Sequence, residues 1–111
     1  DPQLYVVGKI LRNEKNIFIK IDCQGAEIPI LKGSEKILSR TDFIVIEMPL
    51  FGQYNEGVPN FLEHIKFMDS IGFITFDIVD KHYINGFNMQ IDMLFISKNH
   101  KMNETVQTKL Y

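Results

Sequence analysis

A proline placed one turn into a helical pattern fixes the centre of this chain. Residues Ile17–Gly33 run Ile-Phe-Ile-Lys-Ile-Asp-Cys-Gln-Gly-Ala-Glu-Ile-Pro-Ile-Leu-Lys-Gly. The apolar run Ile17, Phe18, Ile19 and Ile21 fits a buried strand. Asp22-Cys23-Gln24-Gly25 is polar and small where that strand ends. From Ala26 the spacing turns helical, with Ile28 and Leu31 three apart. Pro29 is tolerated only in the first turn, where its missing N–H has no helical partner to lose. The helix therefore begins near Gly25 or Ala26. That brings Asp22, Gln24 and Glu27 to the carboxyl end of the strand, where open α/β sheets bind their ligands.

The rest of the sequence supplies a small α/β sheet around this unit. With 111 residues the chain is one domain at most, large enough for a modest core. A formal charge of −2 gives no electrostatic reason to expect a nucleic-acid or anionic-membrane partner. The single cysteine, Cys23, excludes an internal disulfide and favours a reducing compartment. No apolar run has the length of a membrane span, and Asp1-Pro2-Gln3 lacks a signal-peptide pattern. The expectation is a cytoplasmic protein.

Residues 1–16 are a leading helix or connection, and Leu4–Leu11 suits a helix face or a strand. After Gly33, Ser34–Ser39 is expected to continue as helix through Ile37 and Leu38, with Arg40-Thr41-Asp42 as the turn. Phe43-Ile44-Val45-Ile46 lacks alternation, as a strand covered on both faces does, and Glu47-Met48-Pro49 ends it. A helix between two such strands implies a parallel pair with a right-handed crossover. Leu50–Gly57 is a loop carrying Phe51 and Tyr54. Pro59 opens a helix whose buried stripe is Phe61, Leu62, Ile65 and Met68, stopped by Gly72. Phe73–Val79 and Ile91–Ser97 are a third and a fourth strand, antiparallel because no helix-length pattern separates them. Asp80–Gln90 is a polar and aromatic excursion with an Asn85-Gly86 turn signal. The polar tail, 99–111, is expected to fray.

The order strand–helix–strand–helix–strand–strand, with its last strand antiparallel, resembles the carboxyl-terminal half of the Rossmann-like, seven-stranded sheet of S-adenosylmethionine-dependent methyltransferases. Within that class the residues resemble the FkbM-type family. The resemblance rests on Ile19-Lys20-Ile21-Asp22-Cys23-Gln24-Gly25-Ala26-Glu27 with Leu31-Lys32-Gly33. Asp42–Glu47, Tyr54–Pro59, Phe67–Phe73 and Asp92-Met93-Leu94-Phe95 extend it, so that 17–98 forms a family-like core. It implies an O-methyltransferase that transfers a methyl group from S-adenosylmethionine to a hydroxyl of a sugar or secondary metabolite. The glycine-rich cofactor loop of such enzymes has no counterpart here, since Gly8, Gly25 and Gly33 are isolated. The expectation is a partial domain, inactive alone.

The resemblance gives Asp22 a place facing the sulfonium or the acceptor, where a carboxylate steadies the cation or takes the hydroxyl proton. Without it, Asp22 is a helix cap. Glu27 is explained by the helix dipole or, in the family reading, lines the acceptor pocket beside Asp22 as a second catalytic carboxylate. Gly25 permits the tight turn or the close approach of the cofactor. Glu47, emerging at the same rim, and Tyr54, in a covering loop, are the substrate-binding candidates. Asp22, Glu27 and Glu47 together could hold a divalent cation, but capping and solvation explain them more simply, and no metal is assigned. The three histidines show no zinc-ligand spacing. His82 is placed in a loop over the pocket, His64 in the helix as a structural residue, and Asp92 at the start of the last strand. The other reading is a non-catalytic α/β module. Strand 17–21 would be its open edge, covered by Leu4–Leu11 or by a second chain.

Overall fold

The computed structural model describes residues 17–21, 35–52 and 57–109. These form a mixed four-stranded sheet with helices, an α/β arrangement. The elements are β1 (Ile17–Ile21), α1 (Glu35–Leu38), β2 (Thr41–Pro49), α2 (Phe61–Ser70), β3 (Phe73–Ile84), β4 (Phe87–Ser97) and α3 (Lys101–Lys109). The strand order is β1-β2-β4-β3. β1 and β2 are parallel, joined through 22–40, and β4 lies antiparallel between β2 and β3.

The core lies on one face of this sheet. Ile44, Ile46 and Met48 of β2, Ile91, Met93 and Phe95 of β4, and Ile17 and Ile19 of β1 meet Ile37, Leu38, Met68 and Phe73 there. Alternation along a strand sends the intervening residues to the other face. On that face Phe43 touches Phe18, Phe76 and the ring of His100, with ring centroids 5.3–6.5 Å apart.

Local chemistry ends each element. At α1, Thr41 turns its hydroxyl back to the Ile37 carbonyl at 2.8 Å, satisfying a helix-end acceptor as the chain enters β2. At α2, Asn60 Oδ1 accepts from the Glu63 N–H at 2.9 Å, while Glu63 Oε1 accepts from the Asn60 N–H at 3.3 Å, a reciprocal capping box. Pro59 therefore precedes the helix rather than opening it. Gly72, at φ +92°, stops α2 in a left-handed turn that costs glycine nothing. Lys98 then clamps that end, with Nζ 2.7 Å from Asp69 Oδ1 and 3.0 Å from the Asp69 carbonyl.

Several expectations are corrected. Thr41 and Asp42 belong to β2 rather than to a turn, while the strand's other end, at Pro49, falls in the expected Glu47-Met48-Pro49. Leu62 leaves the buried stripe and is 57% exposed, while His64 takes a fully buried place. Asp80–Gln90 is not an excursion. It completes a long hairpin in which β3 and β4 meet at Asn85-Gly86, with φ of 50° and 84°, as a two-residue primed turn requires. The tail forms α3 over Lys101–Lys109 instead of fraying.

Candidate functional site

β1 and β2 run parallel, so their carboxyl ends lie toward one rim of the sheet. Ile21, the last residue of β1, pairs with Ile46, so the next residue of β2, Glu47, stands at the carboxyl end of β1. Ile46 and Met48 are fully buried in the core. Glu47 alternates with them and stands on the opposite face, partly buried. Its partner on β4 is Asp92, and the partner of Asp92 on β3 is Asp80. Three carboxylates thus form one row across three adjacent strands.

Two departures from regular pairing build the outer part of this row. Counting back from Asn85-Gly86 without irregularity would set Asp80 opposite Ile91. Met89 is an extra residue on β4, between the pairs Tyr83↔Asn88 and His82↔Gln90, and it moves Asp92 into that position. The Met89 carbonyl is satisfied by the Leu50 N–H at 2.9 Å. Val79 is a second extra residue, on β3 between Ile78↔Met93 and Asp80↔Asp92. Bulges of this kind re-aim side chains. Here they gather Asp80, His82 and Asp92, whose ligand-type atoms all lie within 4.8 Å of one another. His82 Nε2 is 3.3 Å from Asp92 Oδ1, and the Asp92 side chain is only 15% exposed. Asp80 Oδ1 also accepts from the Lys81 N–H at 2.8 Å.

Of the catalytic, cofactor-binding and substrate-binding candidates, only Glu47 belongs to the described part. Asp22, Gly25, Glu27 and Tyr54 lie outside it, as does Leu4–Leu11. His82 is on β3, not in a loop, and Asp92 lies within β4, not at its start. His64 is structural in the sense expected: fully buried, with Nδ1 2.8 Å from the Asn60 carbonyl. The grouping of Asp80, His82 and Asp92 went unread. Its trace was the Asn85-Gly86 turn, which folds the two segments onto each other, but the bulges that set the register leave no pattern in the sequence. Among the described residues, no helix is long and apolar enough to cross a membrane.

A mixed four-stranded sheet with a parallel pair at one side is an α/β arrangement compatible with part of a Rossmann-like fold. The model of the methyltransferase FkbM domain matches residues 4–75, more than half of the chain. The chain belongs to the FkbM methyltransferase family. The matched span includes β1, β2 and α2 and stops just inside β3, so Asp80, His82 and Asp92 lie beyond it. No curated protein and no solved structure gives a significant match.

Proposed function

We propose that the chain is the carboxyl-terminal part of an S-adenosylmethionine-dependent O-methyltransferase domain, acting on a hydroxyl of a sugar or secondary metabolite. The observation that carries this is the family match over 4–75, which includes the Asp22–Glu27 segment. In this reading β1, β2, β3 and β4 are the fourth, fifth, sixth and seventh strands of the seven-stranded sheet. The antiparallel position of β4 between β2 and β3 supports that assignment.

The acceptor oxygen attacks the sulfonium methyl in line. Bound S-adenosylmethionine would supply the methyl group, the O–C bond forming as the S–C bond breaks to the thioether, and the hydroxyl proton would pass to a carboxylate. Alignment supplies most of the acceleration, and Asp22 takes the proton, with Glu27 beside it. Gly25 gives the cofactor close approach. Glu47 and Tyr54 hold the acceptor. A glycine-rich loop for the rest of the cofactor is not among these residues.

The test is Asp22→Asn in the complete gene product. Labelled methyl transfer to a panel of hydroxylated acceptors should fall at least about a hundredfold, while S-adenosylhomocysteine affinity stays within about threefold by calorimetry. Unchanged turnover overturns the catalytic assignment.

A second reading, self-association through strand 17–21, is supported by the outer position of β1 in the described sheet and by Phe18, 59% exposed.

A further inference from the structure

We propose that Asp80, His82 and Asp92 form a binding site for a divalent first-row transition ion, of the Mn2+ or Zn2+ kind, on the outer half of the hairpin. The distance between His82 and Asp92 is the first reason. A charge-assisted N–H···O contact closes to about 2.7–2.9 Å, whereas Nε2 and Oδ1 stand 3.3 Å apart. Two ligands of one ion with bonds of about 2.1 Å are separated by about 3.0 Å in an octahedron and about 3.4 Å in a tetrahedron. The pair is loose for a strong ion pair and well spaced for a shared ion. The whole set spans no more than 4.8 Å. Asp80, the exposed member, needs only a small side-chain movement to complete it.

Charge is the second reason. Asp80 and Asp92 are cross-strand partners, and Glu47 is the partner of Asp92 on its other side. Like charges directly opposite one another destabilise a sheet, and a divalent cation between Asp80 and Asp92 reverses that sign. The register that creates the clash comes from the extra residues Met89 and Val79. Were Met89 paired regularly opposite His82 instead of bulged, Asp80 would face Ile91 and the conflict would vanish.

Ligand chemistry selects the ion. One imidazole nitrogen with two carboxylates suits Mn2+, Zn2+ and their neighbours, while Mg2+ and Ca2+ prefer all-oxygen sites. Three protein ligands leave coordination positions for water or for a ligand oxygen. The inference does not depend on methyl transfer, because the three residues lie outside the matched family span.

The test is calorimetric titration of the chelator-treated chain with MnCl2 and ZnCl2, against MgCl2 and CaCl2. One equivalent of Mn2+ or Zn2+ should bind, at least about tenfold tighter than Mg2+ or Ca2+. His82→Ala and Asp80→Asn, both at accessible positions, should each weaken it at least about tenfold. His100→Ala should leave it unchanged. Circular dichroism checks that each variant folds, and Mn2+ broadening of the His82 resonances locates the ion independently. Absence of saturable binding overturns the site. So does binding that survives His82→Ala, or binding in which Mg2+ matches Mn2+.

Discussion

His64 shows how a polar side chain can sit in an apolar core without chemistry. Its Nδ1 donates to the Asn60 carbonyl at 2.8 Å, and that carbonyl also accepts the His64 backbone N–H at 3.1 Å. Nε2 is buried with no hydrogen-bond partner among the described residues. With the proton on Nδ1, Nε2 is left as a bare lone pair, yet any orphaned buried polar atom still costs about 1–3 kcal/mol. Replacement by a similar apolar volume removes that cost, and the Asn60 carbonyl keeps its backbone donor. His64→Leu is therefore expected to leave stability within about 1 kcal/mol of the wild type. His64→Ala opens a cavity at a fully buried position of α2 and should cost at least about 2 kcal/mol. Urea unfolding of the two variants decides the matter. A large loss for Leu, equal to that for Ala, would mean that the imidazole itself is needed.

At the scale of elements, the hairpin separates what the sequence discloses from what it conceals. Asn85-Gly86 announced the turn, and both residues adopt the positive φ that announcement requires. The strand lengths stayed hidden. Asp80, Lys81, His82, Asn88 and Gln90 read as loop residues, and three register shifts between β3 and β4 destroy the period of two that marks a strand. The parallel pair was legible because both of its strands are short apolar runs with a helix-length crossover. The capping box of α2 was present as Asn60 and Glu63, but Pro59 drew the boundary two residues early. Leu62 satisfied the helical stripe and still faces out, because His64 occupies the buried position. α3 was concealed by its polarity, with Met102 and Val106 as its only apolar residues. At the rim, Glu47 was legible as a strand-end acid, whereas its row with Asp92 and Asp80 required the register. The turn should be the point on which that register depends. Gly86→Val forces a β-branched side chain to φ +84° and should cost about 1–3 kcal/mol. Asn85→Gly, which keeps the required φ, should change stability by less than about 0.5 kcal/mol. Equal losses in urea unfolding would show that the hairpin is held by packing alone.

Across the whole molecule, the two edges of the described sheet are protected to different degrees. β3 is long and carries exposed Phe76, Ile78 and Val79, which alone would make it an aggregation template. Two extra residues, Phe76 and Val79, bend it, and Asp77, Asp80 and Lys81 are distributed along it. Twist and charge of this kind oppose the addition of another strand. β1 has one irregularity, at its first residue, and its only charged residue is Lys20 in Ile17-Phe18-Ile19-Lys20-Ile21. It also presents Phe18 outward. Any edge pairing between copies should therefore run through β1 and not through the longer β3. Sedimentation velocity over a wide concentration range should show association that Phe18→Lys weakens at least about tenfold and that Ile78→Lys leaves unchanged. The opposite response would move the contact to the hairpin, where a partner would lie against the edge strand that carries Asp80 and His82. The Mn2+ or Zn2+ affinity of that site would then depend on protein concentration, which the same two variants would reveal in titrations run above and below the association midpoint.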